Sequence, residues 1–190
     1  DMVRWRGTHG GLNYHLTNYP NSIASEYLKK TIKTKDFKTL FNIFKKRSLE
    51  KGGPDKNTLV IHLRIGDVID NSKYSVDEHL EQGKFYGTRI YVKPLSYYQN
   101  IMEKIQKFPI NKIILVGGYH TDSSHEKSSK YIERIKTFFN GYSLETRINN
   151  LPDDDFIFMG SASYFVPSGG GFSLIISEMV KMNGGLIIEE

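Results

Sequence analysis

Two short runs, TLVIHLR at 58–64 and NKIILVGG at 111–118, constrain the fold more than anything else in the chain. Both are almost continuously apolar and rich in β-branched residues. A strand with one wet face alternates apolar and polar residues, whereas an unbroken apolar strand is covered on both faces. Between the two runs lies PLSYYQNIMEKIQKF (94–108), in which Tyr98, Ile101, Met102 and Ile105 recur at helical spacing. A second helix is expected in SSHEKSSKYIERIKTFFNG (123–141), with Gly141 as its stop. YSLETR (142–147) and SYFVPS (163–168) read as further strands, GFSLIISEMVKMNGG (171–185) as a helix, and LIIE (186–189) as a last short strand. Strands alternating with helices call for a parallel sheet. The expected fold is therefore α/β: a Rossmann-like parallel sheet with helices on both faces, over residues 57–190.

Residues 1–56 read differently, as an N-terminal loop and helical segment. NSIASEYLKKTI and KDFKTLFNIFKKRSLEK have helical periodicity, with Phe37, Leu40, Phe41 and Phe44 on one stripe and Asp36 placed to cap the second helix. GGPDKN (52–57) then breaks the chain.

At 190 residues the chain has the length of one ordinary domain. Its formal charge of +5 favours anionic partners by steering them. The basic run between Lys29 and Lys56 reads first as a solvated helix face. No Arg-rich arm or RNA-binding aromatic signature appears, so nucleic acid is not the expected partner. The absence of cysteine removes disulfides, thiolate metal sites and Cys nucleophiles. It fits a reducing compartment, and a cytoplasmic location is the expectation. No stretch has the length of a membrane span, and the opening DMVRWRGTHGG has no apolar signal core.

In a doubly covered parallel sheet, ligands sit beyond the C-terminal ends of the strands. That rule directs attention to the residues just beyond each apolar run. The first run ends in His62, Arg64, Gly66 and Asp67. His62 and Arg64 are two residues apart and project to the same side of a strand. Gly66 permits a sharp turn, and Asp67 can fold back to hold the guanidinium. An arginine held this way offers a planar fork suited to phosphate. The same residues can instead form a strand-end salt bridge beside a core histidine. Spacing does not separate the two arrangements.

The second candidate is PSGGGFSL (167–174), with three glycines between a strand and a helix. Backbone N–H groups there can approach a phosphate, and the helix N-terminus favours an anion. It has no Walker A lysine, and a tight strand-to-helix turn is the plainer explanation. The third is LPDDDFIF (151–158). Its aspartates can start a helix, accept from a base edge, or bind a divalent metal as a DxD motif does. The helix start takes precedence. Metal comes last, because no further ligand spacing supports it. His120 and Asp122, which also end a strand, read as a loop pair or a general base. No G-x-S-x-G elbow and no HExxH zinc site occurs.

VIHLRIGD (60–67) resembles the H-x-R-x-G-D motif of the GDP-fucose-dependent fucosyltransferase superfamily, most closely its α-1,2 group. PLSYYQNIMEKI, KIILVGG and DDDFIFMGSASYFVPSGGGFSLIISEM come after it in the family's order, so the resemblance covers roughly 58–183. It departs from the pattern at Ile65, where a second arginine often stands, and at Gly170 and Gly171, where the family has serines. The resemblance implies the nucleotide-binding half of a GT-B glycosyltransferase that inverts and needs no metal or other cofactor. Its partners would be a nucleotide sugar, GDP-fucose, as donor and a glycan acceptor. Arg64 would grip the β-phosphate and His62 would contact the nucleotide. Asp155 would accept from guanine. Ser168, Gly169, Gly170, Gly171, Phe172 and Ser173 would line the phosphate and sugar pocket. If the base lies in this chain, Asp67 is one option and His120 another. Competing expectations are a metal-dependent DxD transferase with another donor, a non-catalytic or partial nucleotide-sugar-binding module, and a basic domain binding polyanions.

Overall fold

The computed structural model of the chain describes residues 18–31, 35–86, 89–119 and 124–189. Helix α1 spans Ile23–Lys30 and α2 spans Phe37–Lys51. Strand β1 (Thr58–His62) leads through the one-turn helix α3 (Asp67–Asp70) to α4 (Val76–Gln82) and the two-residue strands β2 (Phe85–Tyr86) and β3 (Arg89–Ile90). Helix α5 (Leu95–Ile105), strand β4 (Lys112–Gly117), helix α6 (Glu126–Phe138) and strand β5 (Ser143–Ile148) come next. The chain continues through α7 (Pro152–Gly160), β6 (Tyr164–Val166), α8 (Gly171–Met182) and β7 (Leu186–Ile187).

Five strands form one parallel sheet in the order β5-β4-β1-β6-β7. The two short strands β2 and β3 pair separately as an antiparallel ribbon. The long apolar runs take the central places, as double burial requires: every residue of β1 is buried. Leu59, Ile61, Leu63, Ile65, Ile113 and Leu115 enter one core cluster with Tyr98 and Ile101 of α5 and Tyr131 and Ile135 of α6. Val60, Ile114 and Val116 enter the other, with Leu40 and Phe44 of α2, Phe156 and Met159 of α7, and Ile176 and Met179 of α8. The expected α/β architecture with helices on both faces is therefore observed. Strand β5 is the exception to the unbroken apolar pattern, because it lies at an edge and is largely wet.

The helices begin where their caps dictate. Asp36 accepts from the Thr39 amide at 3.1 Å and starts α2 as expected. The second core cluster shows that α1 and α2 cover the same sheet face as α7 and α8. Among the described residues, no helix is long and apolar enough to cross a membrane.

The strand order fixes where a ligand can sit. From β1 the chain moves outward to β4 and β5, then crosses back to β6 and β7 on the other side. The direction of winding reverses between β1 and β6. In open α/β sheets this reversal opens a crevice at the C-terminal strand ends.

Candidate functional site at the strand switch point

His62 is the last residue of β1 and is 8% exposed. Its Nδ1 lies 3.1 Å from Ser173 Oγ and 3.1 Å from Ser168 Oγ. Ser173 Oγ also accepts from the Ser168 amide at 2.9 Å. The three side chains form one buried polar cluster that ties the end of β1 to the β6–α8 turn across the switch point. The Phe172 ring meets the His62 imidazole edge-on at 5.9 Å. Residues 106 and 111 positions apart thus converge, as a single site at the strand ends requires.

The turn that carries Ser168 is made by glycine. Gly169 and Gly170 both hold φ of +84°, a conformation that side chains rarely adopt, and Gly170 is the N-cap of α8. A Cβ on Gly170 would stand 3.3 Å from the Tyr91 ring, so Tyr91 closes one side of the turn. The 12-residue helix α8 directs the partial positive charge of its N-terminus into the same place. Tyr97 donates to the Pro167 carbonyl at 3.0 Å and fixes the approach.

Arg64 and Asp67 pair as expected, with Nη2 2.7 Å from Oδ1, and both side chains are about one-quarter exposed (23% and 29%). Arg64 Nη1 also donates to the Ile65 carbonyl at 2.7 Å. The guanidinium is therefore held by two contacts. Leu63 and Ile65 continue the inward alternation of Leu59 and Ile61. That leaves Arg64 on the His62 side, although the strand pairing itself stops at His62. Gly66, at φ +78°, makes the turn into α3, and its amide donates to Ser128 Oγ at 2.9 Å. Ser128 Oγ in turn donates to Asp70 at 2.6 Å, while the Ser128 amide donates to the same carboxylate at 2.9 Å. This buried support of the Arg64 loop had no sequence signal beyond the polar residues themselves.

The three aspartates of LPDDDFIF all lie in the first turn of α7, after Pro152, so the helix-start expectation is met. They go to separate partners. Asp153 accepts from the Ile23 amide at 2.8 Å and faces Arg47 at 3.4 Å. Asp154 pairs with Lys51 at 3.2 Å. Asp155 is 6% exposed; its Oδ1 lies 3.6 Å from Arg147 Nη2 and accepts from Asn150 Nδ2 at 3.4 Å. Burial raises Asp155 to a pKa of about 6, against the opposing pull of Arg147. Asp155 is thus the only one of the three that Arg147 faces, at the end of β5 rather than beside His62. Among the described residues no group of three or more His, Cys, Asp or Glu is placed to hold a metal ion. His120 and Asp122 lie outside the described residues.

A surface concavity of about 400 Å³ lies elsewhere, lined by Asp77, Leu80 and Glu81 of α4, Leu95 and Ser96 of α5, and Arg134 of α6. Two of its charged residues already pair in solvent: Arg134 donates to Asp77 at 3.0 Å and both are half exposed. The strand ends, with buried polar groups converging on one turn, are the better-built site.

No family model matches the chain, and no curated protein matches it. Solved structures similar to it include crystal structures of POFUT1. The chain is 16% identical to POFUT1 in complex with GDP, over 95% of this chain and 59% of that one, with a TM-score of 0.42. It is 14% identical to POFUT1 in complex with GDP-fucose, over 97% of this chain and 58% of that one, with a TM-score of 0.39. Against the apo-form the values are 17%, 93%, 56% and 0.38. The chain spans less than two thirds of the length of each. A likeness of this degree assigns no residue and no activity, and the fold rests on the sheet described above.

Proposed function

We propose that the β1–β6 crevice binds the diphosphate of a GDP-sugar, and that the chain is the donor-binding half of an inverting fucosyltransferase-like glycosyltransferase. The observation that carries this reading is the convergence of His62, Ser168 and Ser173 with the positive-φ glycine turn at the switch point of the sheet. Backbone amides, a helix N-terminus and a fixed arginine are the groups a diphosphate needs. The donor class comes from the resemblance of VIHLRIGD to the GDP-fucose-dependent superfamily.

In this reading an acceptor hydroxyl attacks the anomeric carbon as the bond to the β-phosphate oxygen breaks. Negative charge grows on the departing diphosphate. Arg64, already held by Asp67 and the Ile65 carbonyl, meets that charge without having to reorganise. The α8 N-terminus and the Gly169–Gly171 amides act in the same direction. His62, whose Nδ1 is engaged by two serines, is held at the place where the nucleotide is read to bind. Asp67 is better suited to orienting Arg64 than to taking the acceptor's proton, since its carboxylate is engaged at 2.7 Å. The proton acceptor is then His120 or another residue outside the described ones. Asp155 reads the guanine.

A second reading, a nucleotide-sugar-binding module without transfer, is favoured by the single parallel sheet of the described residues. Calorimetric titration with GDP, GDP-fucose, UDP and inorganic diphosphate, each with and without EDTA, tests the donor site. Selective, EDTA-insensitive binding of the guanine nucleotides is expected. Equal binding of all polyanions would reduce the site to a basic surface, and loss with EDTA would favour a metal-dependent transferase. Release of GDP from GDP-fucose in the presence of glycan acceptors then separates transfer from binding alone.

A further inference from the structure

Arg147 occupies a position that the motifs did not single out. It lies near the end of β5, and the sheet register places it opposite Val116, which is itself opposite His62. Residues in register on parallel strands project to the same face. His62 and Arg147 therefore stand level on one face, two strand spacings or about 10 Å apart. Each carries an aromatic partner from the helices above. Phe172 meets His62 at 5.9 Å, and the Arg147 guanidinium lies 4.1 Å from the centre of the Phe158 ring.

We propose that Arg147 is the base platform of the nucleotide site: its inner face rests on Phe158, its outer face receives a purine by stacking, and its charge sustains Asp155 as the acceptor for the base's N–H edge. This inference rests on the proposed function above. A guanidinium plane stacks on aromatic rings and on nucleobases alike. One face of Arg147 is occupied by Phe158, and the side chain remains one-third exposed. Asp155 stands 3.6 Å from Nη2, so a carboxylate acceptor lies beside the stacking face. An acceptor there suits guanine, whose ring N–H and amino group donate side by side, and disfavours adenine, whose amino group stands next to a bare ring nitrogen. The two-strand offset from His62 leaves room for the ribose and diphosphate to run from Arg147 to the α8 N-terminus.

Titration separates the charge of Arg147 from its plane. The groups facing Asp155 are Arg147 from β5, Asn150 from the preceding loop and Asp154 from its own helix. Arg147 lowers the Asp155 pKa, while burial and Asp154 raise it to about 6. The base edge requires the carboxylate, so GDP binding falls as pH drops through that midpoint. Without Arg147 the same fall moves to higher pH.

The experiment is calorimetry of the wild type, Arg147→Gln and Arg147→Lys with GDP and inorganic diphosphate, on both sides of that midpoint. Arg147→Gln should lose about tenfold or more in GDP affinity, the effect of a lost base stack. It should bind inorganic diphosphate as the wild type does, and its pH midpoint should rise. Arg147→Lys keeps the charge and loses the plane, so GDP affinity should fall with the midpoint unmoved. GDP affinity unchanged in Arg147→Gln overturns this inference and leaves the donor site standing. An equal loss of GDP and diphosphate makes Arg147 structural and also overturns it. A wild type that binds diphosphate but does not prefer GDP defeats both.

Discussion

Replacing Arg64 with alanine should lower affinity for GDP and for inorganic diphosphate together, while the folded protein stays intact. A charge-assisted hydrogen bond to phosphate contributes about 1.5–3 kcal/mol, which corresponds to roughly tenfold or more in affinity. The parallel loss is the informative part, because Arg64 is assigned to the phosphates and not to the base. Stability should change little. The Arg64–Asp67 pair is partly exposed, and such pairs contribute about 0–1 kcal/mol. Arg64→Lys separates charge from geometry: a lysine retains the cation but not the planar fork, so it should recover only part of the loss. Calorimetry measures the affinities, and thermal melting checks the fold. If Arg64→Ala unfolds, the pair is a structural strand-end bridge and the phosphate role is lost with it.

The largest effect on stability is expected from Phe44→Ala. Phe44 is fully buried in the helical layer formed by α2, α7 and α8. Its ring meets Phe156 edge-on at 6.1 Å and lies over Gly160, where an added Cβ would come within 2.8 Å of it. Truncating a buried phenylalanine to alanine costs about 3–5 kcal/mol. Because α2 shares its core with α7, α8 and the sheet, that loss should appear as a lower urea midpoint with one transition and an unchanged slope. Two separated transitions would instead make residues 18–51 an appended unit.

Much of the fold can be read from the sequence because the central strands carry a strong signal. TLVIH and KIILVG are apolar without interruption, and only a doubly covered strand accommodates that. The segment after Asp67 is less legible. Helix α3 is one turn long, and α4 is marked chiefly by a capping box in which Ser75 and Glu78 bond each other's backbone. With Val68, Ile69, Val76 and Leu80 as its buried apolar residues, this region offers too short a period to announce helices. The ribbon of β2 and β3 has two residues per strand and no alternation to read.

The candidate site divides in the same way. His62, Arg64 and the glycines end their elements visibly, so the strand-end rule finds them. Their convergence depends on which strand returns beside β1, and that is a property of topology. Arg147 was hidden for a different reason. In YSLETR it looks like the polar end of an edge strand, and only register with Val116 and His62 reveals its place. Ser128 and Asp70, which brace the Gly66 turn, are equally silent in sequence because their partnership spans 58 positions.

The central claim is that the diphosphate binds at the β1–β6 switch point. Amide hydrogen exchange with and without saturating GDP tests it most directly, because it locates the ligand without presuming any residue's role. The account predicts new protection over residues 62–67 and 168–174, with a second protected stretch over 147–155. Protection confined to the concavity between α4, α5 and α6, or spread evenly over the basic face of α1 and α2, would contradict it.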